Sequence, residues 1–296
     1  MPLIAAAAST AKLGLLEACW QALVLGVVQG LTEFLPISST AHLKVVPVVL
    51  GWGDPGVAVT AVIQLGSIVA VIAFFRSDLL AVGNGIAQAL RRGEWSDPSA
   101  RLGLAIALGT IPILIGGLAI KRFIPDYDHS PLRSMGSIAV VSIVMALLLA
   151  LAELVGRRRR ALAAVRPIDG VLVGLAQALA LVPGVSRSGS TLTASLFDGW
   201  QRDAAARFSF LLGIPAITLA GLVELRSALE APGNFGPIPL LVGILSAAAV
   251  SWLAIAWLLR FLQNHSTWVF VGYRLVFGLS ILLWLRATVV EPLSAG

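Results

Sequence analysis

The sequence predicts an all-α polytopic membrane protein in which six transmembrane helices and two re-entrant helical hairpins form inverted-topology repeats. Of its 296 residues, 58% are hydrophobic and only 12% are charged, whereas about a quarter of an ordinary soluble domain is charged. The apolar runs have the length of membrane-spanning helices rather than of barrel strands. Two further apolar runs end in polar sequence. We therefore expect a single integral membrane domain covering residues 1–296.

Six apolar runs are long enough to cross the bilayer core, which takes a helix of about 20 residues. In chain order they are Val57–Phe75, Leu102–Ile120, Met135–Ala152, Phe208–Val223, Pro237–Leu259 and Trp268–Leu285. The loops on one side of these runs hold most of the Arg residues, including GRRRR at Gly156–Arg160. The positive-inside rule makes that side cytoplasmic and places both termini outside. A basic run can also indicate nucleic acid, but here loop bias explains it and no nucleic-acid partner is expected.

The two remaining apolar runs break at a proline and continue in hydroxyl-rich sequence. Leu13–Leu31 leads into QGLTEFLPISSTAHL, at Gln29–Leu43, and Ile168–Pro183 leads into PGVSRSGST, at Pro183–Thr191. Irregular polar backbone is tolerated at membrane depth only where protein or water surrounds it. We therefore expect two re-entrant hairpins with their tips buried in the bundle.

The two hairpin regions resemble each other, which indicates an internal duplication. The matching pairs keep their order and a nearly constant offset: Gly26 and Gly174, Gln29 and Gln177, Leu31 and Leu179, Pro36 and Pro183. The repeats would cover about 13–155 and 166–290. Because each holds one hairpin and three spans, the second repeat is inverted, and the two polar tips meet between the halves.

The first tip combines a carboxylate, an amide, hydroxyls and an imidazole. Gln29 and Glu33 share a helix face, and a carboxylate inside an apolar segment is costly and usually marks a site. Glu33 is expected to bind a divalent metal or accept a proton; the alternative is a helix-end carboxylate in headgroup water. Ser38, Ser39, Thr40 and His42 follow. By themselves these hydroxyls fit a helix N-cap as well as a nucleophile.

The second tip has the features of an anion site. Arg187 is flanked by Ser186 and Ser188 and followed by Thr191, with glycines around it. A guanidinium suits phosphate oxygens, and glycines with a helix N-terminus add backbone N–H donors. The alternative is a purely structural pair between Arg187 and Glu33. Arg274, within the last span, is either an ion-pair partner or a third phosphate donor.

Together the tips suit phosphoryl transfer, in which an arginine neutralises phosphate oxygens and a metal or base assists the attacking oxygen. Because this chemistry lies within a membrane, the expected substrate is a lipid with a phosphate head.

The chain resembles the undecaprenyl-diphosphate phosphatase family, also called the bacitracin-resistance family, over nearly its whole length. The resemblance rests on the two tip motifs and on VIQLGS, FSFLLGIP and YR in the last span. The resemblance implies a bacterial inner-membrane enzyme that removes one phosphate from a polyprenyl diphosphate lipid, with an active site open to the periplasm. It also implies a divalent cation, Mg or Ca. This activity would recycle the lipid carrier for cell-envelope synthesis.

The resemblance also implies roles for individual residues. Ser39 corresponds to the proposed nucleophile, His42 to a catalytic histidine, and Glu33 to the second acid of an [E/Q]-x3-E pattern. Gln29 stands where many members have Glu, which makes it a weak metal ligand. The residues expected to bind the diphosphate are Arg187, Ser38, Thr40, Ser186, Ser188, Thr191 and Arg274.

Two alternatives are weighed against the phosphatase. A polyprenyl-phosphate flippase would share the inverted repeats and broken helices, but it has less use for a serine nucleophile beside a carboxylate. The type-2 phosphatidate phosphatase superfamily also uses Ser-x-His pieces, but its Lys-x6-Arg-Pro element is absent here. The sequence does not indicate an oligomeric state.

Overall fold

The computed structural model describes residues 14–124, 127, 130–230 and 235–290, and this part of the chain contains helices but no strands. The α-helices are α1 Leu15–Phe34, α2 Ser39–Val49, α3 Val57–Phe74, α4 Arg76–Arg92, α5 Pro98–Phe123, α6 Met135–Val155, α7 Pro167–Ala178, α8 Arg187–Phe197, α9 Arg202–Glu230, α10 Pro237–Asn264 and α11 Trp268–Val290. The predicted all-α class is confirmed. Residues 1–13 and 291–296, including both termini, lie outside the described residues.

Five of the six predicted spans coincide with helices that are long and apolar enough to cross a membrane, namely α5, α6, α9, α10 and α11. The sixth such helix is α1, whose 20 residues were predicted as a hairpin limb. The predicted span at Val57–Phe75 is α3, which meets α4 at a bend of 67°.

Helix α4 was not predicted, because the spans were read from apolar runs and α4 carries arginines at both ends. Its boundaries nevertheless have local signals. Gly93 ends it in the left-handed conformation (φ 74°), and its N–H bonds to the carbonyl of Ala89. Asp97 then caps α5 by accepting from the N–H of Ala100 at 2.9 Å. Glycine after a helix and aspartate before the next are common termination and capping residues.

The two hairpin tips have the same backbone design. Helix α1 stops before Pro36, and α7 continues through a 3-10 turn and stops before Pro183. Next come Ser38 (φ 77°) and Ser186 (φ 70°), both in the left-handed region that non-glycine residues rarely adopt. An 11-residue helix, α2 or α8, then begins. The sequence duplication thus corresponds to a duplicated turn.

The long limbs of the two hairpins pack closely on equivalent partners. A Cβ on Gly30 of α1 would lie 2.7 Å from the carbonyl oxygen of Ala247 in α10, and one on Gly174 of α7 would lie 2.3 Å from that of Gly109 in α5. Similar contacts at Gly26 with Gly243 and at Gly170 with Ala105 show that each pair runs in the same direction. Helix α1 therefore begins beside the start of α10, and α7 beside the start of α5.

Polar contacts place the starts of α1 and α7 at opposite ends of the bundle. Thr267, just after α10, donates to Glu153 near the end of α6 (2.8 Å). In the loop after α6, Arg158 binds Glu153, and Arg160 binds Asp169 in the first turn of α7. Helix α7 thus begins where α10 ends, away from the start of α1. Hairpins entering from opposite ends are what an inverted repeat requires; the inverted membrane topology itself stays a prediction.

The Arg-rich loop at 156–160 has two kinds of arginine. Arg157 and Arg159 are exposed, as expected for a loop facing anionic headgroups. Arg158 and Arg160 instead turn inward to Glu153, Asp169 and Asp198. Half of the run therefore joins helix ends together, a role that the sequence interpretation did not assign to it.

Candidate active site

The two hairpin tips lie against each other in the middle of the bundle. The Ser188 hydroxyl, in the first turn of α8, donates to the carbonyl oxygens of Glu33 (3.3 Å) and Leu35 (3.0 Å) at the end of α1. Residues separated by about half the chain therefore share one site, as the duplication predicted.

Glu33 is the centre of this site, and it is only 7% exposed. Its Oε2 accepts from Ser39 Oγ at 2.8 Å and from Gln29 Nε2 at 3.1 Å, and its Oε1 lies 3.4 Å from Arg187 Nη2. A buried charge is tolerated when it is paired and hydrogen-bonded. The arrangement joins a serine hydroxyl, a carboxylate and a guanidinium in one contiguous chain.

Gln29 connects Glu33 to a polar chain that the sequence interpretation missed. The Gln29 amide nitrogen also donates to Ser67 Oγ in α3 (3.4 Å), and Ser67 in turn accepts from Ser251 Oγ in α10 (2.8 Å). All four of these side chains are buried. In the sequence, Ser67 and Ser251 are distinguished only as polar residues within apolar spans, which commonly bond to neighbouring helices. These hydrogen bonds hold the carboxylate of Glu33 from the side of α3 and α10, and they turn the nitrogen of Gln29, rather than its oxygen, toward Glu33.

Arg187 reaches Glu33 by crossing the surface of α9. Its Nη1 donates to the carbonyl of Ser209 (3.3 Å), and a Cβ on Gly213 would lie 1.6 Å from that nitrogen. Gly213 is therefore required for the position of the guanidinium. Arg187 Nε is buried and has no hydrogen-bond partner within the described chain, so one donor of the guanidinium is unused in this position. The sequence interpretation named neither Ser209 nor Gly213 as a site residue.

The hydroxyls of the second tip bind protein groups. Ser186 Oγ accepts from the N–H of Gly189 (3.1 Å) and so caps α8, and Ser186 and Ser188 are 3.2 Å apart at their hydroxyls. Thr191 donates to the carbonyl of Arg187 (2.8 Å) and pairs with the hydroxyl of Ser209. These three residues, predicted as phosphate ligands, hold the Arg187 turn in this structure.

His42 faces α11 rather than Ser39. Its Nδ1 lies 2.7 Å from the carbonyl of Ser38, and because a carbonyl only accepts, Nδ1 carries the proton. Nε2 then accepts from the hydroxyl of Tyr273 at 2.6 Å, and the ring stacks on Phe277 at 4.3 Å. The carboxylate of Glu33, not the imidazole, is therefore the partner of Ser39. Tyr273 is a further residue of this region whose role was not predicted.

Arg274 has neither of the two predicted kinds of partner. It is 1% exposed, and its guanidinium donates to the carbonyls of Pro36 (3.1 Å), Val185 (3.1 Å), Gly184 (2.7 Å) and Ser142 (3.2 Å). Pro36 belongs to the first tip, and Gly184 and Val185 belong to the second. Arg274 thus joins the two turns from behind, and with its donors on carbonyls it is not placed as a phosphate ligand.

A cavity of about 160 Å³ opens beside Glu33. Its wall contains the carboxylate, Ser39 and Thr40 of the first tip, together with Gln64 of α3. The remaining lining residues are Gln29, Leu43, Lys44, Asp54, Gly56, Thr60, Ala61 and Arg133. The hydroxyl of Ser39 and the N-terminus of α2 therefore face a space where a phosphate can be held.

The cavity has oxygen donors but no preformed metal cage. Within the described residues, no three His, Cys, Asp or Glu side chains are grouped so as to hold a metal ion. Glu33 and Ser39 supply oxygen ligands on this wall, and Gln29 is a weaker candidate because its amide nitrogen, not its oxygen, faces Glu33. Mg²⁺ is commonly bound by one or two carboxylates together with substrate phosphates. The donor set fits a cation shared with the substrate.

Comparison with known proteins gives matches over nearly the whole chain. Residues 22–280, which include both tips, match the family described as bacitracin resistance protein BacA. The chain is 72% identical to the undecaprenyl-diphosphatase of Synechococcus sp. (strain RCC307), covering 93% of this chain and 96% of that protein. It is 70% identical to the undecaprenyl-diphosphatases of Parasynechococcus marenigrum (strain WH8102), covering 93% and 96%, and Prochlorococcus marinus (strain MIT 9303), covering 94% of each.

Proposed function

Because the chain belongs to the bacitracin resistance protein BacA family, we propose that it is an undecaprenyl-diphosphatase. The reaction converts undecaprenyl diphosphate and water to undecaprenyl phosphate and inorganic phosphate. The observation that carries the proposal is the 2.8 Å hydrogen bond from Ser39 Oγ to Glu33 Oε2 at the wall of the cavity. A nucleophile hydrogen-bonded to a base is the arrangement expected for covalent catalysis.

In the proposed first step, Ser39 Oγ attacks the terminal phosphorus while Glu33 accepts the hydroxyl proton. The bond from that phosphorus to the bridging oxygen breaks, and undecaprenyl phosphate leaves. Glu33 then gives this proton to the departing phosphate or to solvent and becomes a carboxylate again. In the second step, water attacks the phosphorus of the phosphoserine and Glu33 takes one proton from the water. The bond from phosphorus to Ser39 Oγ breaks, Glu33 returns the proton to Oγ, and inorganic phosphate leaves. The N-terminus of α2 contributes backbone N–H groups and a favourable dipole for the phosphate oxygens.

Arg187 is proposed to balance the charge that moves between carboxylate and phosphate. At rest its guanidinium lies 3.4 Å from Glu33, longer than a strong charge-assisted bond. When Glu33 accepts the proton, its attraction for Arg187 falls, and the guanidinium can turn to the phosphate oxygens. A donor directed at developing charge is worth roughly 10²–10³-fold in rate.

His42, Arg274 and the second-tip hydroxyls are proposed as positioning residues. His42 ties the left-handed Ser38 to α11 through Tyr273, and Arg274 ties the two turns to each other. Both sets of contacts fix the direction of the first residue of α2, which is Ser39. Thr40 remains on the cavity wall as a second hydroxyl for the phosphate.

A divalent cation, Mg²⁺ or Ca²⁺, is proposed as cofactor, held by Glu33 and more weakly by the oxygen of Gln29. When bound, such an ion neutralises phosphate charge and polarises the phosphorus. The single carboxylate at the tip and the neutral amide leave most of its ligands to the substrate and water.

The cavity is proposed to open to the periplasm of a bacterial inner membrane. Among its lining residues, Lys44 lies within α2, Asp54 follows α2 and Arg133 precedes α6. They lie toward the end of the bundle away from the Arg-rich loop. The positive-inside rule makes the Arg-rich end cytoplasmic. Release of undecaprenyl phosphate there would return the lipid carrier to envelope synthesis and lower sensitivity to bacitracin.

A flippase for polyprenyl phosphate is the second candidate, and the hairpins that start at opposite ends of the bundle favour it. The deciding experiment measures phosphate release from undecaprenyl diphosphate by the purified protein and by Ser39→Ala. The phosphatase predicts a loss of about 10³-fold or more with the substrate still bound. Ser280→Ala is the control, because this serine is exposed on α11 and lies outside the cavity wall. Undiminished phosphate release by Ser39→Ala would rule out Ser39 as the nucleophile. No phosphate release by the wild type would rule out the phosphatase function.

A further inference from the structure

The cavity wall has two basic residues among those described, Lys44 and Arg133. Arg187, the arginine of the proposed chemistry, is not part of this wall, since it contacts Glu33 and α9 instead. The substrate carries two linked phosphates and several negative charges. The groups of Ser39, Glu33 and Arg187 account for only the phosphate that Ser39 attacks.

Lys44 lies on the same helix as the nucleophile and further toward the open end of the cavity. It is five residues after Ser39 and four after Thr40, so it is about 7.5 Å beyond Ser39 along the axis of α2 and on the same face as Thr40. Its long side chain extends this reach. The half-buried position of Lys44 contrasts with the buried Glu33.

The ammonium of Lys44 is anchored but not neutralised. Nζ donates to the backbone carbonyl of Arg133 at 2.7 Å, which uses one of three donors. None of the ion pairs found among the described residues involves Lys44. A cation at a cavity wall without a carboxylate partner suits a phosphate ligand. The carbonyl contact holds it against the loop that brings Arg133 to the same wall.

We propose that Lys44 binds the lipid-bound phosphate of the substrate and the undecaprenyl phosphate product. This inference rests on the proposed diphosphatase function. In-line attack places the leaving oxygen on the side of the phosphorus away from the nucleophile. With the terminal phosphate in the cavity beside Ser39, the leaving phosphate lies on the side away from the Ser39 hydroxyl, toward the open end, where Lys44 is. The cavity thus has two subsites, and Lys44 favours diphosphates over monophosphates.

The test compares Lys44→Met with Lys44→Arg and with Lys121→Met, which removes an exposed lysine at the end of α5. We expect Lys44→Met to raise the KM for undecaprenyl diphosphate about tenfold, the effect of losing one contact of about 1.4 kcal/mol, with kcat changed less than threefold. Lys44→Arg should recover most of the loss, and Lys121→Met should equal the wild type.

The two products separate phosphate binding from a structural effect. Inhibition by undecaprenyl phosphate should weaken about tenfold in Lys44→Met, whereas inhibition by inorganic phosphate, which occupies the Ser39 subsite, should stay unchanged. Equal weakening of both, or constants equal to those of Lys121→Met, would contradict the proposal. Binding of undecaprenyl phosphate, measured by thermal stabilisation in detergent, tests the subsite even if the wild type released no phosphate.

Discussion

The two hairpin tips have nearly the same backbone but different chemistry. Each has a proline, a left-handed serine and an 11-residue helix. The first residue of that helix is Ser39 in one tip and Arg187 in the other, and both contact Glu33. At the position equivalent to Glu33 the second tip has Leu181. The duplicated turn therefore brings two helix N-termini to one carboxylate, and the first tip supplies a serine hydroxyl where the second supplies a guanidinium.

The same division appears in the hydroxyls around each turn. Of the three in the first tip, Ser39 and Thr40 line the cavity, whereas Ser38 is buried and its hydroxyl lies 3.1 Å from that of Thr40. Those of the second tip bond to the backbone or to each other, and so hold Arg187 in place. A motif rich in serine and glycine thus builds a reacting surface in one copy and a support in the other. Sequence likeness between the copies shows the shape of the turn, not its role.

The largest expected effect that separates the two halves concerns Gly213 in α9 and Gly66 in α3. Gly213→Ala places a Cβ 1.6 Å from Arg187 Nη1, whereas Gly66→Ala places one 2.1 Å from the backbone oxygen of Ile244 in α10. We expect Gly213→Ala to lower phosphate release by about 10²-fold, because it displaces the guanidinium that in the proposed mechanism turns to the phosphate. Its melting temperature in detergent should stay close to that of the wild type.

Gly66→Ala should behave in the opposite way, with a lower melting temperature caused by strain between α3 and α10. Thermal unfolding and steady-state phosphate release, measured on both variants, check this contrast. Full phosphate release by Gly213→Ala would contradict this prediction, because it would show that activity does not depend on the present position of Arg187.

A smaller effect is expected at the duplicated glutamines. Gln29→Glu puts a second carboxylate about 3 Å from Glu33, since the present donor distance is 3.1 Å, and two such charges repel unless a cation lies between them. Activity in EDTA should fall about tenfold more for this variant than for the wild type, and added Mg²⁺ should restore it.

Gln177→Glu is the matched variant in the second half. Gln177 donates to the carbonyl of Gly109 and is fully buried, so a carboxylate there loses its donor and should reduce stability without a change in metal dependence. The metal proposal fails if phosphate release by Gln29→Glu and by the wild type has the same sensitivity to EDTA.

Much of the site can be predicted from the sequence, because it depends on local signals. The prolines, the hydroxyl runs and the cost of Glu33 in an apolar segment mark both tips, and their order implies that they meet. The Glu33–Arg187 pair follows from charge alone. Gly93 marks the end of α4, and Asp97 marks the start of the next helix. Because α4 is not a long apolar run, hydropathy does not predict it.

The remaining features depend on how each helix is rotated, which a uniformly apolar sequence does not specify. His42 turns to Tyr273 on α11, and Arg274 turns to the carbonyls of both tips. Neither direction follows from spacing, since the partners lie more than 200 residues away or are backbone atoms. Gly213 reads as an ordinary helix-packing glycine until the position of Arg187 is known.

The most direct measurement is to trap the covalent intermediate. The purified protein is mixed with undecaprenyl diphosphate, quenched in acid during the first turnover, digested and analysed by mass spectrometry. The proposed mechanism predicts phosphate on Ser39 and none on Ser38 or Thr40, with the signal absent from Ser39→Ala. Release of phosphate in the first turnover without any phosphate on Ser39 would contradict it, and would assign the attack to water activated by Glu33.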